Sequence, residues 1–315
     1  MPTNTSDSTL DAISSITKKF YIPKLADEVN TSNALLMQMQ KSGGFDTIDG
    51  GTDIRQPLRY ARFAARGWYL GTQTLDTSYN EKKFSLIFPW AQYNVSITIS
   101  GLDKIKNQGA AKVLDHVKTE VQAAQEDVKD AFGTGLYSDG STNALSIIGT
   151  RGFLSTTATY GGVSQTSNSW LQAKIDTTTT ALSLGQMQVR YEACKEGADA
   201  PTFITTTKSI YSTFWALLQP QQRFTDLDVA KTGFQNLVFN GAPVVVDSYA
   251  PTSSMNMLNL KHLKLFSSKE RNFPGEFEDF QKPVNQDAMV AHIFWAGQLV
   301  ADEVRKHGGF SAITS

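Results

Sequence analysis

Apolar positions along the chain fall into a few distinct rhythms. Ile54, Leu58 and Tyr60 sit among Arg55, Pro57 and Arg59. Phe84, Leu86, Phe88 and Trp90 lead on to Tyr93, Val95, Ile97 and Ile99. Both runs alternate with period two, which predicts strands with one covered face. Between them lie Gly67-Trp68-Tyr69-Leu70-Gly71 and a polar stretch to Lys83. The whole reads as a long hairpin with an irregular tip.

A helical rhythm follows. Val113, Val117, Val121, Ala124, Val128 and Phe132 step by four, four, three, four and four, with Asp115, Lys118, Glu120, Gln122, Gln125, Glu126 and Lys129 on the other face. This predicts a helix from about Ala110 to Phe132, stopped by Gly133 and Gly135. A shorter helix is expected near Leu10, Ile13 and Ile16, ended by Pro23, and a turn-rich stretch from Gly43 to Gly51 follows.

From Ser183 onward the pattern changes to short, mixed elements. Ser183 can cap a helix carrying Met187, Tyr191 and Cys194. Pro201 to Thr205 is a short strand, and Thr207 can cap a helix with Ile210, Tyr211, Phe214, Trp215 and Leu218, stopped by Pro220. Asn240-Gly241 between Leu237-Val238-Phe239 and Ala242 to Val246 is the preferred dipeptide of a tight hairpin. Helix, strand, helix and hairpin in this order predict a compact α+β unit. Strands return at Met257 to Leu260, Leu263 to Phe266 and Ala288 to Val304, the last able to pair with strands flanking the long helix.

The aromatics of the hairpin raise a physical question. Phe63, Trp68, Tyr69, Tyr79, Phe84, Phe88 and Trp90 lie on it, and each ring can bury about 150–250 Å². A lone two-stranded ribbon is marginal in water. If it stands off the body, the rings need cover from elsewhere, and a second copy of the chain is the natural source.

Composition narrows the function. The 315 residues carry 29 Lys plus Arg against 30 Asp plus Glu, net charge -1, with 40% hydrophobic residues. A sizeable core is expected, and a nucleic-acid binder acting through an overall basic field is excluded. No run of about 18 apolar residues reads as a membrane span. Met1 to Leu10 is polar, unlike a secretory signal, so a cytosolic origin is expected. The single cysteine, Cys194, excludes an internal disulfide framework and reads as a buried, inert thiol.

No enzymatic constellation stands out. His116, His262, His292 and His307 lie far apart and read as surface or packing residues. Gly133 to Gly140 has the glycines of a phosphate loop but follows a helix and lacks the lysine. Asp226 and Asp228 form a lone D-x-D; with Arg223 they mark where a scattered ligand site would be sought. Arg55, Arg59, Arg62 and Arg66 cluster within twelve residues. They suit nucleic-acid contact, or, as the preferred reading, intersubunit ion pairs with Glu276, Glu278 and Asp279. Lys82 and Lys83 read as solvated. No catalytic residue, cofactor site or metal site is assigned.

The order of elements resembles tailed-bacteriophage major capsid proteins of the HK97-type fold. Ala131-Phe132-Gly133-Thr134-Gly135-Leu136-Tyr137-Ser138-Asp139-Gly140 is similar to the end of that family's spine helix. Gly233 to Val244 resembles its A-domain hairpin, and Met257 to Leu260, Gln286-Asp287-Ala288 and Gly297 to Val300 its closing strands. The resemblance implies an α+β fold with an N-arm (1–52), an extended hairpin or E-loop with flanking strands (53–100), a spine-helix P-domain (101–175), an A-domain (176–250) and a return into the P-domain (251–315). It implies no enzyme activity and no cofactor. Subunits would form pentamers and hexamers enclosing double-stranded DNA, held only by weak contact. Portal and scaffolding proteins, and a decoration protein, would be further partners, with no membrane. Intersubunit contact candidates are Arg55, Arg59, Arg62, Phe63, Arg66, Trp68, Tyr69, Leu70, Tyr79, Lys82, Lys83, Glu276 and Glu278. The lysine–asparagine cross-link of some members is not expected here. The alternatives are another virion protein and a cytosolic ligand-binding or enzyme domain.

Overall fold

Asn33 opens the described chain by capping a helix: its Oδ1 accepts from the Leu35 and Leu36 amides, satisfying two of the free donors of a first turn. The computed structural model describes residues 33–102, 110–219, 237–272 and 281–314, the side chains of 110–118 and 125 excepted. Helix α1 (Ala34–Lys41) leads into β1 (Phe45–Ile48). Strands β2 (Ile54–Arg59) and β3 (Lys83–Phe88) form the hairpin. They are followed by β4 (Ala91–Ser100) and the long helix α2 (Ala110–Leu136). After α3 (Thr150–Phe153) come the pair β5 (Thr159–Tyr160) and β6 (Val163–Ser164), then β7 (Lys174–Asp176) and β8 (Thr180–Ala181). Helix α4 (Leu184–Cys194), β9 (Phe203–Thr206) and α5 (Lys208–Leu218) precede β10 (Val238–Phe239) and β11 (Ala242–Val246). The chain closes through β12 (Met255–Leu258), β13 (Leu263–Asn272), β14 (Ala288–Ala301), β15 (Gly308–Phe310) and β16 (Ile313–Thr314).

Two sheets organise these elements. A four-stranded sheet runs in the order β1-β13-β14-β4, and a six-stranded sheet in the order β10-β11-β9-β12-β15-β7. In the first, β14 pairs antiparallel with β4 over ten residues, from Ala288 opposite Ser100 to Gly297 opposite Ala91. This is the pairing the alternation of Ala288 to Val304 anticipates. Ile97, Ile99, Ala291 and Ile293 point to one face and are buried there together with Val121, Val128 and Phe132 of α2. Phe132 meets Trp295 edge to face at 4.7 Å, a favoured ring geometry. The opposite face carries Asn94, Ser96 and Thr98, with His292 bonded to Ser96 at 3.0 Å. On β4 strand periodicity thus places one polar and one apolar face, as expected, whereas β14 adds Val290 and Phe294 to the polar side.

The six-stranded sheet is covered by α4 and α5 through Met187, Tyr191, Ile210 and Phe214. Ser183 accepts from the Gln186 amide and caps α4 as expected, whereas the Thr207 side chain makes no capping bond at α5. Asn240 and Gly241 both have positive φ, 48° and 87°, the geometry a two-residue hairpin of the expected type requires. Successive residues of β9 face different cores: Phe203 joins the cluster of the four-stranded sheet, while Ile204 joins the helix-covered one. The central strands β9 and β12 are consequently buried throughout.

Several expectations need correction. The run Phe84 to Ile99 is two strands in different sheets, broken at Pro89-Trp90. Gly133 and Gly135 do not stop the long helix, which runs on to Leu136 and is 27 residues, or about 40 Å, long. Gly133 serves contact instead: a Cβ there would lie 2.4 Å from the Tyr249 ring. The stretch Leu35 to Met39 is helical, with Leu35, Leu36 and Met39 wholly buried. The end of the expected arm is therefore docked: β1 pairs in parallel with β13. The expected helix around Leu10 to Ile16, Pro220, Arg223, Asp226, Asp228, Glu276, Glu278, Asp279 and the side chains of Val113, His116 and Val117 lie outside the described residues.

Candidate assembly interface

The β2–β3 hairpin has a fastened root. Six residue pairs hold it, from Ile54 opposite Phe88 to Arg59 opposite Lys83. Ile54, Leu86 and Phe88 are buried in the main core, and Phe88 packs edge to face on Tyr160 at 4.9 Å. The Ile87 amide donates to the Gly161 carbonyl, and Tyr60 stacks on Trp170 with centroids 5.2 Å apart. Phe88 and Trp90, expected to need outside cover, find it at home. Phe88 is fully buried and Trp90 is half-buried, its Nε1 donating to the Gly51 carbonyl at 2.9 Å.

Beyond the root, residues 60–82 leave the regular ladder but keep a local order. Asn80 spans the ribbon: its Oδ1 accepts from the Ala64 amide and its Nδ2 donates to the Arg62 carbonyl, both at 2.9 Å. The Lys82 ammonium lies 3.8 Å from the centre of the Phe63 ring and 5.3 Å from that of Tyr79. Arg59 covers Phe63 at 5.0 Å and donates to the Ala61 carbonyl. Each such cation–ring contact is worth about 0.5–1 kcal/mol at an exposed site. Lys82 is thus engaged rather than merely solvated. Gln73 closes a turn with Leu70 through both its amide and its side chain. Neither the Asn80 brace nor the cation cover follows from any local motif; both depend on residues brought opposite one another by the ladder.

Further out the tip is bare. Trp68 is 104% exposed, Leu70 84% and Tyr79 83%, and Tyr69, Leu75 and Phe63 are also largely open. Isolated exposed apolar residues are ordinary, but six on one ribbon are an aggregation hazard unless a partner covers them. Of the arginines, Arg55 pairs, among the described residues, with its neighbour Asp53 at 3.9 Å. Arg62 and Arg66 stand exposed beside the bare rings, as does Lys83 on the strand behind them. The pairing expected with Glu276 and Glu278 lies outside the described residues.

Two other places could have carried chemistry. A half-open groove of about 890 Å³ lies between the C-terminal end of α2 and the loop 138–147. Its walls are largely apolar, from Tyr93, Phe132, Trp295 and Ile147, with Asp130, Asp139 and Arg151 also lining it. Asp139 is held below the usual carboxylate range by its bonds from Ser141. Cys194 is buried and its thiol is pushed up to about 12, which makes it a packing residue. Among the described residues no group of three His, Cys, Asp or Glu is placed to hold a metal ion, and no helix is long and apolar enough to cross a membrane.

Neither a protein-family model nor a curated protein matches the sequence. Solved structures do match the fold. One is from the capsid asymmetric unit of cyanophage A-1(L), with TM-score 0.64 and 18% identity over 84% of this chain and 89% of that one. A second is from the capsid of a native GTA particle, with TM-score 0.59 and 9% identity over 88% and 90%. The chain has the fold of tailed-phage major capsid proteins. It is the α+β, HK97-like arrangement that the order of elements implies. The same fold builds the SrpI encapsulin complex of Synechococcus elongatus, matched with TM-score 0.51 and 11% identity over 85% and 84%.

Proposed function

We propose that the chain is the major capsid protein of a tailed phage, assembling as pentamers and hexamers into an icosahedral shell around double-stranded DNA. The bare tip on a capsid-type body is the observation that carries this reading. A typical stable interface takes about 800 Å² from each partner. Three rings at about 150–250 Å² each, with two leucines, provide most of one partner's share. They do so on a ribbon that adds nothing to the subunit's own core. Residues 60–82 serve as the donor arm, with Trp68, Tyr69, Leu70 and Tyr79 as apolar anchors and Arg62, Arg66 and Lys83 setting register by charge. In this reading residues 1–52 are the N-arm, 53–100 the E-loop with its flanking strands, 101–175 the P-domain, 176–250 the A-domain, and 251–315 the return. The near-neutral charge suits a wall that lets packaged duplex slide and leave. The shell would be built in the host cytoplasm with scaffolding and portal proteins, and a decoration protein could join it. The chain has no enzymatic role.

The encapsulin likeness supports a second reading, a protein compartment that carries no genome. Electron microscopy of particles from expressing cells, with nucleic-acid and protein analysis of their contents, separates the two. Closed shells or capsomers are expected for the purified chain. A chain that stays monomeric under all salt conditions overturns both readings.

A further inference from the structure

The chain crosses between its two sheets twice after β12. It leaves the six-stranded sheet through a 3-10 turn at Leu260–His262 into β13, and returns from β14 through a second 3-10 turn at Val304–Lys306 into β15. A dense set of charged groups meets at these crossings. Lys306, 6% exposed, donates to Asp199 at 3.0 Å, lies 3.1 Å from Glu303 and reaches His262 Nε2 at 3.2 Å. His262 Nδ1 lies 2.8 Å from Asp302, and Lys261 pairs with Asp199 at 2.9 Å. Inside this set His307 is fully buried. Its Nδ1 accepts the Asn259 amide proton at 3.2 Å, which ties one crossing to the other. Its ring packs on Phe153 at 5.1 Å, and its carbonyl accepts from the Lys174 amide.

We propose that His307 makes this double crossing an acid-sensitive joint between the two sheets. A proton taken up at Nδ1 turns the acceptor into an N–H donor that faces the Asn259 N–H, so the tie cannot coexist with the charged ring. The imidazolium would also sit beside the Lys306 cation, which disfavours a charge on this ring. The carboxylates nearby are already engaged: Asp199 by Lys261 and Lys306, Glu303 by Lys306, and Asp302 by His262. From the remaining neighbouring strand, Lys174 meets His307 through its backbone amide.

Burial, and then the neighbouring His262, push the His307 imidazole down to about 3 from an ordinary 6.5. The closed joint therefore excludes a proton that an opened, hydrated one accepts. The sign follows from linkage: the closed state is fully favoured above about pH 6.5 and loses that advantage as pH falls toward 3. Opening should rise about tenfold per pH unit in that window, or about thirtyfold between neutral pH and pH 5.

Hydrogen–deuterium exchange of the full-length chain, corrected for the intrinsic pH dependence of amide exchange, reads this at segments 258–263 and 302–310. Opening at pH 5 should exceed that at pH 7.5 by about thirtyfold. His307→Asn places a non-titrating oxygen near the Nδ1 position and should abolish the rise, while His262→Asn should keep it. A flat profile in the unaltered chain, an equal rise in His307→Asn, or loss of the rise in His262→Asn overturns the proposal. Should His307→Asn not fold, NMR titration of the unaltered protein decides. A His307 ring that charges near pH 6.5 with the joint still protected overturns the proposal, and one that stays neutral until the joint opens supports it.

Discussion

The root and the tip of the hairpin belong to one ribbon and carry the same kinds of side chain, yet their rings meet opposite fates. At the root, Phe88 is wholly enclosed by Tyr160 and its neighbours, and Leu86 and Ile54 share that core. At the tip, Trp68 and Tyr79 have almost nothing over them. Local surroundings make the difference: Tyr60 at the end of the ladder still stacks on Trp170, whereas Trp68 and Tyr79 further along stand open. Burial at the root serves the fold of one chain, and in the proposed reading exposure at the tip serves a second chain.

That contrast can be broken by substitution. Phe88→Ala should cost the subunit about 3–5 kcal/mol, since it removes a fully enclosed ring and leaves a cavity. Chemical denaturation of unassembled protein measures it. Gly133→Ala should cost about 1–3 kcal/mol although alanine is the better helix former. The added carbon would collide with the Tyr249 ring packed on the helix backbone, and the same denaturation assay reads the loss. Asn80→Ala should lower stability by about 1 kcal/mol or less, because its two bonds are exposed. Limited proteolysis should nonetheless show faster cutting within 60–82. Trp68→Ala with Tyr69→Ala should leave subunit stability within about 0.5 kcal/mol while particle yield by electron microscopy collapses. Equal losses of stability from the root and tip variants would erase the contrast.

Features that depend on a few adjacent residues were legible in the sequence. Ser183 caps its helix, the Asn240-Gly241 turn has the required dihedrals, and the period-two pattern places Ile97 and Ile99 on the covered face. For the rings of the hairpin the expectation is conditional on the ribbon standing off the body; Trp68 and Tyr69 are exposed, whereas Phe88 is buried. Misreadings arose where a residue serves a distant neighbour. Gly133 looks like a helix stop, but it is small because Tyr249 lies against it. Phe88 looks available for a partner, but Tyr160 covers it from over 70 positions away. The charged joint escaped notice for the same reason: Asp199, His262 and Lys306 stand far apart in sequence, and each alone is an ordinary surface-type residue. The helix at Ala34–Lys41 was missed because two turns are too short to display a period, although Asn33 was a readable cap.

The pairing of the four-stranded sheet has a consequence for how the chain is made. Strands β1 and β4 find their partners in β13 and β14, roughly two hundred residues later. During synthesis at about 5–20 residues per second, the ribbon therefore leaves the ribosome tens of seconds before the sheet that anchors its root can close. A product ending before β13 would leave β1 and β4 without their sheet partners. In the proposed reading, joining other subunits would wait until β13 and β14 have been translated.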